Sequence, residues 1–121
     1  MPGRDRSLDA LLDLNEEVLV IDERGHVVKF AVRRTDVTEA RPHGLSYSLT
    51  LHDSSGRRLM GFDNAHAVEH PGGKFVEQPR VYDHLHRGPE DEGSPYKFVS
   101  AGKLIVDFWA EVERLLDLDE E

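Results

Sequence analysis

The sequence predicts an α+β fold, an antiparallel sheet of about four or five strands packed with a C-terminal helix. Two patterns carry that prediction. In "LSYSLTLH", residues 45–52, Leu45, Tyr47, Leu49 and Leu51 alternate with Ser46, Ser48, Thr50 and His52, so one strand face is apolar and the other polar. In "SAGKLIVDFWAEVERLL", residues 100–116, Leu104, Ile105, Phe108, Val112, Leu115 and Leu116 recur at helical spacing behind Ser100, a candidate N-cap.

The other elements follow in chain order. Residues 1–16 are expected to form a short helix and lead-in: Leu8, Leu11 and Leu12 share a helical face, with Ser7 as a candidate cap. Residues 17–87 form the sheet region. Within "EEVLVIDERGHVVKFAVRR", Val18 and Val20 belong to one strand and Val28, Phe30 and Val32 to the next, joined at "DERG". The strand 45–52 turns through "DSSGRR", where Gly56 suits a positive φ, into "RLMGFDN", making an antiparallel hairpin. Residues 65–79 read as a loop. "RVYDHLHR" then reads as a short strand, with Tyr82, His84 and His86 on one face and Val81, Asp83 and Leu85 on the other. "GPEDEGSP" is expected to be an exposed loop. The helix occupies residues 100–117, with Trp109 at the edge of its apolar stripe, and residues 118–121 form an acidic tail.

The 121 residues suit one domain, and 38% hydrophobic with 32% charged residues is a globular balance. No apolar run reaches the roughly 18 to 20 residues a membrane span needs. The start lacks an apolar secretion-signal core, so a cytoplasmic prokaryotic protein is expected. Without cysteine there is no disulfide framework, thiolate metal site or thiol nucleophile. The net charge of −9 opposes nonspecific nucleic-acid binding by the whole surface. The charge is uneven, however: Arg24, Lys29, Arg33 and Arg34 lie in an acid-free stretch, while residues 101–121 hold two bases against seven acids.

His84 and His86, at i and i+2 on a strand, can point into one volume. A divalent metal held by His84, His86 and Asp63 is one reading, although no spacing matches a known zinc motif. Acid–base chemistry is another, and it requires no cofactor: one imidazole takes a proton from a 2′-hydroxyl while another protonates the leaving oxygen. Lys74, Arg80 and Arg87 flank the segment and could stabilise charge on a phosphate. Asn64 and Tyr82 are further candidates for substrate binding. The bland alternatives are partly exposed histidines and an Asx-type turn at Asp63 or Asn64. His52 is expected to be solvated, His66 and His70 lie in the loop, and no role attaches to His26 or His43.

Taken in order, "LSYSLTLHD", "FDN", "DHLH", "YKFVS" and "LIVDFWAEVERLL" resemble the TumE family of bacterial and archaeal toxin components. The resemblance covers residues 45–116 and rests on Asp63 and Asn64, on Asp83, His84 and His86, on Tyr96 and Phe98, and on Asp107, Phe108 and Trp109. It implies the toxin of a type II toxin–antitoxin system, neutralised by a helix-turn-helix antitoxin. Because toxins commonly attack RNA, it turns the acid–base reading into a ribonuclease with His84, His86, Asp83 and Asp63 as catalytic candidates. The alternatives are a noncatalytic protein-binding module and a metal-dependent phosphodiesterase. A homo-oligomer is compatible with each.

Overall fold

The computed structural model describes residues 6–38, 41–64, 83–88, 90–91 and 93–120, with side chains through residue 117. Among the described residues, six strands form one antiparallel sheet in chain order: β1 (Val18–Val20), β2 (Val27–Arg34), β3 (Leu45–His52), β4 (Arg58–Asp63), β5 (His84–His86) and β6 (Ser94–Pro95). Helices α1 (Arg6–Asp13) and α2 (Ala101–Glu120) both lie on the same apolar face. The strand β6 lies within the expected loop at residues 88–95. Its two residues pair with Leu85 and His84, too few to leave an alternating pattern in the sequence.

Alternation decides which side chains face the helices. Val28, Phe30 and Val32 of β2, Leu45, Tyr47, Leu49 and Leu51 of β3, Met60 and Phe62 of β4 and Leu85 of β5 are buried on that side. Against them pack Leu11 of α1 and Ala101, Leu104, Phe108 and Val112 of α2. Phe108 meets Phe30 edge-on at 5.5 Å and Phe62 at 6.2 Å, an arrangement that the aromatic quadrupole favours. Trp109 sits beside Phe30 and Phe108 at the core edge, as its position off the stripe predicts.

The Ser100 cap is present: its hydroxyl accepts the Lys103 amide at 3.1 Å. Ser7 is different, because α1 already includes Arg6 and Ser7 lies inside the helix. A Cβ on Gly102 would stand 2.9 Å from the Ser7 hydroxyl, so glycine is what lets α2 approach α1 this closely. The α2 backbone stays helical through Glu120, so most of the acidic tail extends the helix. Gly56 has φ +92°, the left-handed turn expected of it. His26, given no role from sequence, is a buried anchor of the β1–β2 turn, donating from Nδ1 to Asp22 at 2.8 Å. His52 is also more than solvated, its Nδ1 donating to the Gly56 carbonyl and its Nε2 facing the Thr50 hydroxyl.

Candidate functional site

The register of β3, β4 and β5 divides the polar residues of interest between two faces. Ser48, Asp63 and His84 form one cross-strand row, and Thr50, Gly61 and His86 the next. Both rows point away from the helices, because their neighbours Leu49, Phe62 and Leu85 point toward them. On this outer face the Asp63 carboxylate stands between two imidazoles. Oδ2 is 3.2 Å from His86 Nε2, and Oδ1 is 3.9 Å from His84 Nδ1. The first is within ion-pair distance when His86 is protonated; the second is too long for a hydrogen bond. The outward residues of β2 continue the rows, Lys29 beside Thr50 and Arg33 beside Ser46. At ~4.8 Å per strand, Lys29 lies roughly 14 Å from His86 across the sheet.

His86 is held on three sides. Its Nδ1 donates to the Asp91 carbonyl at 2.9 Å, so Nε2 is the nitrogen that meets Asp63. The Asp91 carboxylate shapes the supporting turn by accepting the Arg87 amide at 2.8 Å and the Gly93 amide at 2.9 Å. Those two bonds hold the Asp91 carboxyl below its ordinary pKa, outweighing the opposing effect of burial. Gly93, at φ +110°, lies against the His86 ring, where a Cβ would come within 2.8 Å of Cε1. His84 is 2% exposed, and its Nε2 is buried with no hydrogen-bond partner among the described residues.

Asp83 turns to the opposite face. It accepts the Tyr47 hydroxyl at 2.6 Å and His43 Nε2 at 3.1 Å on the same oxygen. It therefore orients neither His84 nor His86, which is the consequence of a flat strand alternating through residues 83–86. His43, given no role from sequence, is brought in from 40 positions away and stacks on Phe98 with centroids 4.0 Å apart. Its Nδ1 is buried and has no partner among the described residues. Burial, then the bond to Asp83 and the charges of Asp83 and Asp63, push the Tyr47 hydroxyl far above the ordinary tyrosine range. Tyr96 is raised in the same way by burial and its 2.7 Å bond to Asp107. Burial alone would raise Asp107, but the bonds from Lys103 and Tyr96 hold it below its ordinary value.

Asn64 is fully buried on the helix side of β4. Its Oδ1 accepts the Tyr47 amide at 2.9 Å, and its Nδ2 donates to the Leu45 carbonyl at 2.7 Å. One side chain thus completes the β3 ladder where β4 ends. Arg87 is exposed and lies 3.5 Å from Glu111 of α2. Lys74, Arg80 and Tyr82 lie outside the described residues, as do His66 and His70. Among the described residues, no group of three or more histidine, aspartate or glutamate side chains is arranged to hold a metal ion.

A family model described as Toxin TumE matches residues 9–116. The chain belongs to the TumE family. The match takes in the whole sheet and most of both helices, reaching well upstream of the motifs at residues 45–116 that carry the resemblance. No curated protein and no solved structure matches the chain. Membership of a toxin family implies an antitoxin partner. No helix among the described residues is long and apolar enough to cross a membrane.

Sequence order alone could identify Asp63, His84 and His86 as a group. Nothing local pointed to His43, Asp91 or Gly93. The nearest signals were the Asp-Glu-Gly turn chemistry of residues 91–93 and the glycine after His43.

Proposed function

We propose that this TumE-family chain is a metal-independent ribonuclease toxin whose reaction is carried by His84, His86 and Asp63. One observation carries the reading: a single carboxylate lies between two imidazoles whose remaining nitrogens are in opposite conditions. With Nδ1–H donated to the Asp91 carbonyl, His86 presents Nε2 to a carboxylate, an approach that is favourable only when Nε2 also bears a proton. Among the described residues His84 Nε2 has no partner, and an unpaired buried nitrogen is costly unless another group supplies its bond.

The roles follow. His84 Nε2 takes the proton of an RNA 2′-hydroxyl as the 2′-oxygen attacks phosphorus. His86 gives its Nε2 proton to the departing 5′-oxygen, so the P–O5′ bond breaks and a cyclic phosphate remains. Asp63 supports the imidazolium at each stage. Asp83 serves the Tyr47–His43 network instead and carries no proton in this scheme. Lys29 and Arg33 extend the outer face as a cationic track for the strand. Lys74, Arg80, Arg87 and Tyr82 are proposed contacts from the flanking segment, whereas Asn64 supports the sheet. The antitoxin is proposed to be a helix-turn-helix protein, and the site of action is the cytoplasm.

The test is induction of the wild-type chain and of a His84→Ala, His86→Ala double variant at equal soluble expression, with growth and RNA integrity followed together. Arrest with RNA loss for the wild type alone is the expected result. Arrest by both without RNA loss would transfer the toxicity to protein binding. Cleavage in vitro that stops with a chelator and returns with a divalent ion would assign His84, His86 and Asp63 to metal coordination.

A further inference from the structure

We propose that the antitoxin docks on this toxin along the free edge of β1, by adding an extended segment that is apolar in its centre and basic at both ends. The inference is independent of the RNA reading; it uses only the edge geometry and the partner that a toxin implies.

Among the described residues, β1 is the first strand of the sheet and is paired only with β2. The phase of that pairing decides which backbone groups remain available. The Phe30 amide donates to the Glu17 carbonyl at 3.0 Å and the Ile21 amide to the His26 carbonyl at 2.9 Å. Leu19 stands opposite Val28. The Glu17 carbonyl and the backbone of residues 19 and 21 therefore face β2, while the Glu17 amide donates to Leu14, and Val18 and Val20 direct N–H and C=O outward. The side chains on this edge are also uncovered: Val18, Leu19 and Val20 are 59%, 38% and 70% exposed. Natural edge strands are usually protected by charge, proline or a covering element. Here three consecutive apolar residues are left on view. The open strip ends where Asn15 Oδ1 accepts the Val32 amide at 2.9 Å, which closes the next position along β2.

Charge selects the occupant. Glu16 and Glu17 precede the strand and Glu23 follows it, beside an Asp22 that His26 and Arg24 already engage. Lys29 is opposite Val18 but one strand further in. A second copy fits poorly. Antiparallel pairing of two β1 strands with Val18 opposite Val20 would set Glu16 against Asp22 twice, between chains of net charge −9. A segment with β-branched residues in the middle and Lys or Arg flanking them gains the same backbone bonds and pairs with the acids. The strip is short, so such a strand would anchor a larger contact by setting its register.

The experiment uses the full chain, free and in complex with the antitoxin encoded beside it. Amide hydrogen exchange is read at Val18 and Val20, with Leu19 as internal reference because it already faces β2. In the complex, exchange at Val18 and Val20 is expected to slow by about tenfold or more, with little change at Leu19. Val20→Pro removes an outward donor at an edge position that tolerates proline, and is expected to weaken antitoxin binding by roughly tenfold or more. Val20→Thr keeps the donor and the branched shape and is expected to bind within about threefold of the wild type. Unchanged exchange at Val18 and Val20 in a saturated complex would overturn the proposal. So would protection of those amides by self-association of the free toxin, which would give the edge to a second copy. If Val20→Pro fails to fold, the exchange measurement decides alone.

Discussion

Replacing Asn64 with alanine separates a structural amide from a substrate-binding one. Asn64 is 0% exposed and bonds the β3 backbone twice, at Tyr47 N and Leu45 O. Alanine leaves that donor and that acceptor buried without partners, at a cost of about 1–3 kcal/mol each. Allowing for relaxation, the loss is about 2–4 kcal/mol, a large share of the roughly 5–15 kcal/mol that holds a domain folded. With a urea dependence of about 1–3 kcal/mol per molar, the unfolding midpoint should fall by roughly 1–2 M with the slope unchanged. Asn64→Asp should fare no better, because a carboxylate accepts from Tyr47 but cannot donate to Leu45. Equilibrium urea unfolding by circular dichroism measures the shift. A midpoint within about 0.3 M of the wild type, together with lost toxicity, would refute this reasoning and return Asn64 to the substrate.

Gly93→Ala should displace the His86 ring, because the new Cβ would meet Cε1 at 2.8 Å and φ +110° disfavours any L side chain. Changed His86 ring resonances in NMR and a loss of toxicity of about tenfold or more are expected; an unmoved His86 spectrum would refute it. Tyr47→Phe removes a bond to a charged acceptor and should destabilise by about 1.5–3 kcal/mol. Since His43 uses the same Asp83 oxygen, a double-mutant cycle with His43→Ala should show coupling of about 0.5 kcal/mol or more, and strict additivity would deny the shared oxygen. Asp107 has a lowered folded-state pKa, so its contribution is present above its unfolded value and is lost as pH falls through the folded one. Wild-type stability should therefore decline as pH drops below about 4, and less steeply in Asp107→Asn; equal slopes would show that the Lys103 and Tyr96 bonds contribute nothing.

Local pattern accounts for much of the architecture. The strand at residues 45–52, the turn at Gly56 and the Ser100 cap could all be read directly, because each depends on near neighbours in the chain. The same alternation that makes β5 a strand sends Asp83 to one face and His84 and His86 to the other, so the division of the motif was already written in its spacing. The limits of β6, the placement of Ser7 inside α1 and the helical continuation to Glu120 were less legible, since short elements and helix ends carry little periodicity.

What the sequence determined by itself is the set of faces: which side chains each strand and helix offers to the core and which to solvent. What only the tertiary structure decided is who meets whom across those faces. Asp63 stands between His84 and His86 because β4 and β5 pair in one register, and Asp83 meets Tyr47 and His43 because β3 lies one strand further along the same sheet. Asn64 lies inside because the ladder ends one residue before it, leaving the Tyr47 amide to be satisfied. A slip of one residue would send these side chains to the other face with little change in local propensity. Register is selected by the summed burial of Leu49, Phe62 and Leu85 beneath α2, and residues far apart in the chain supply that sum together.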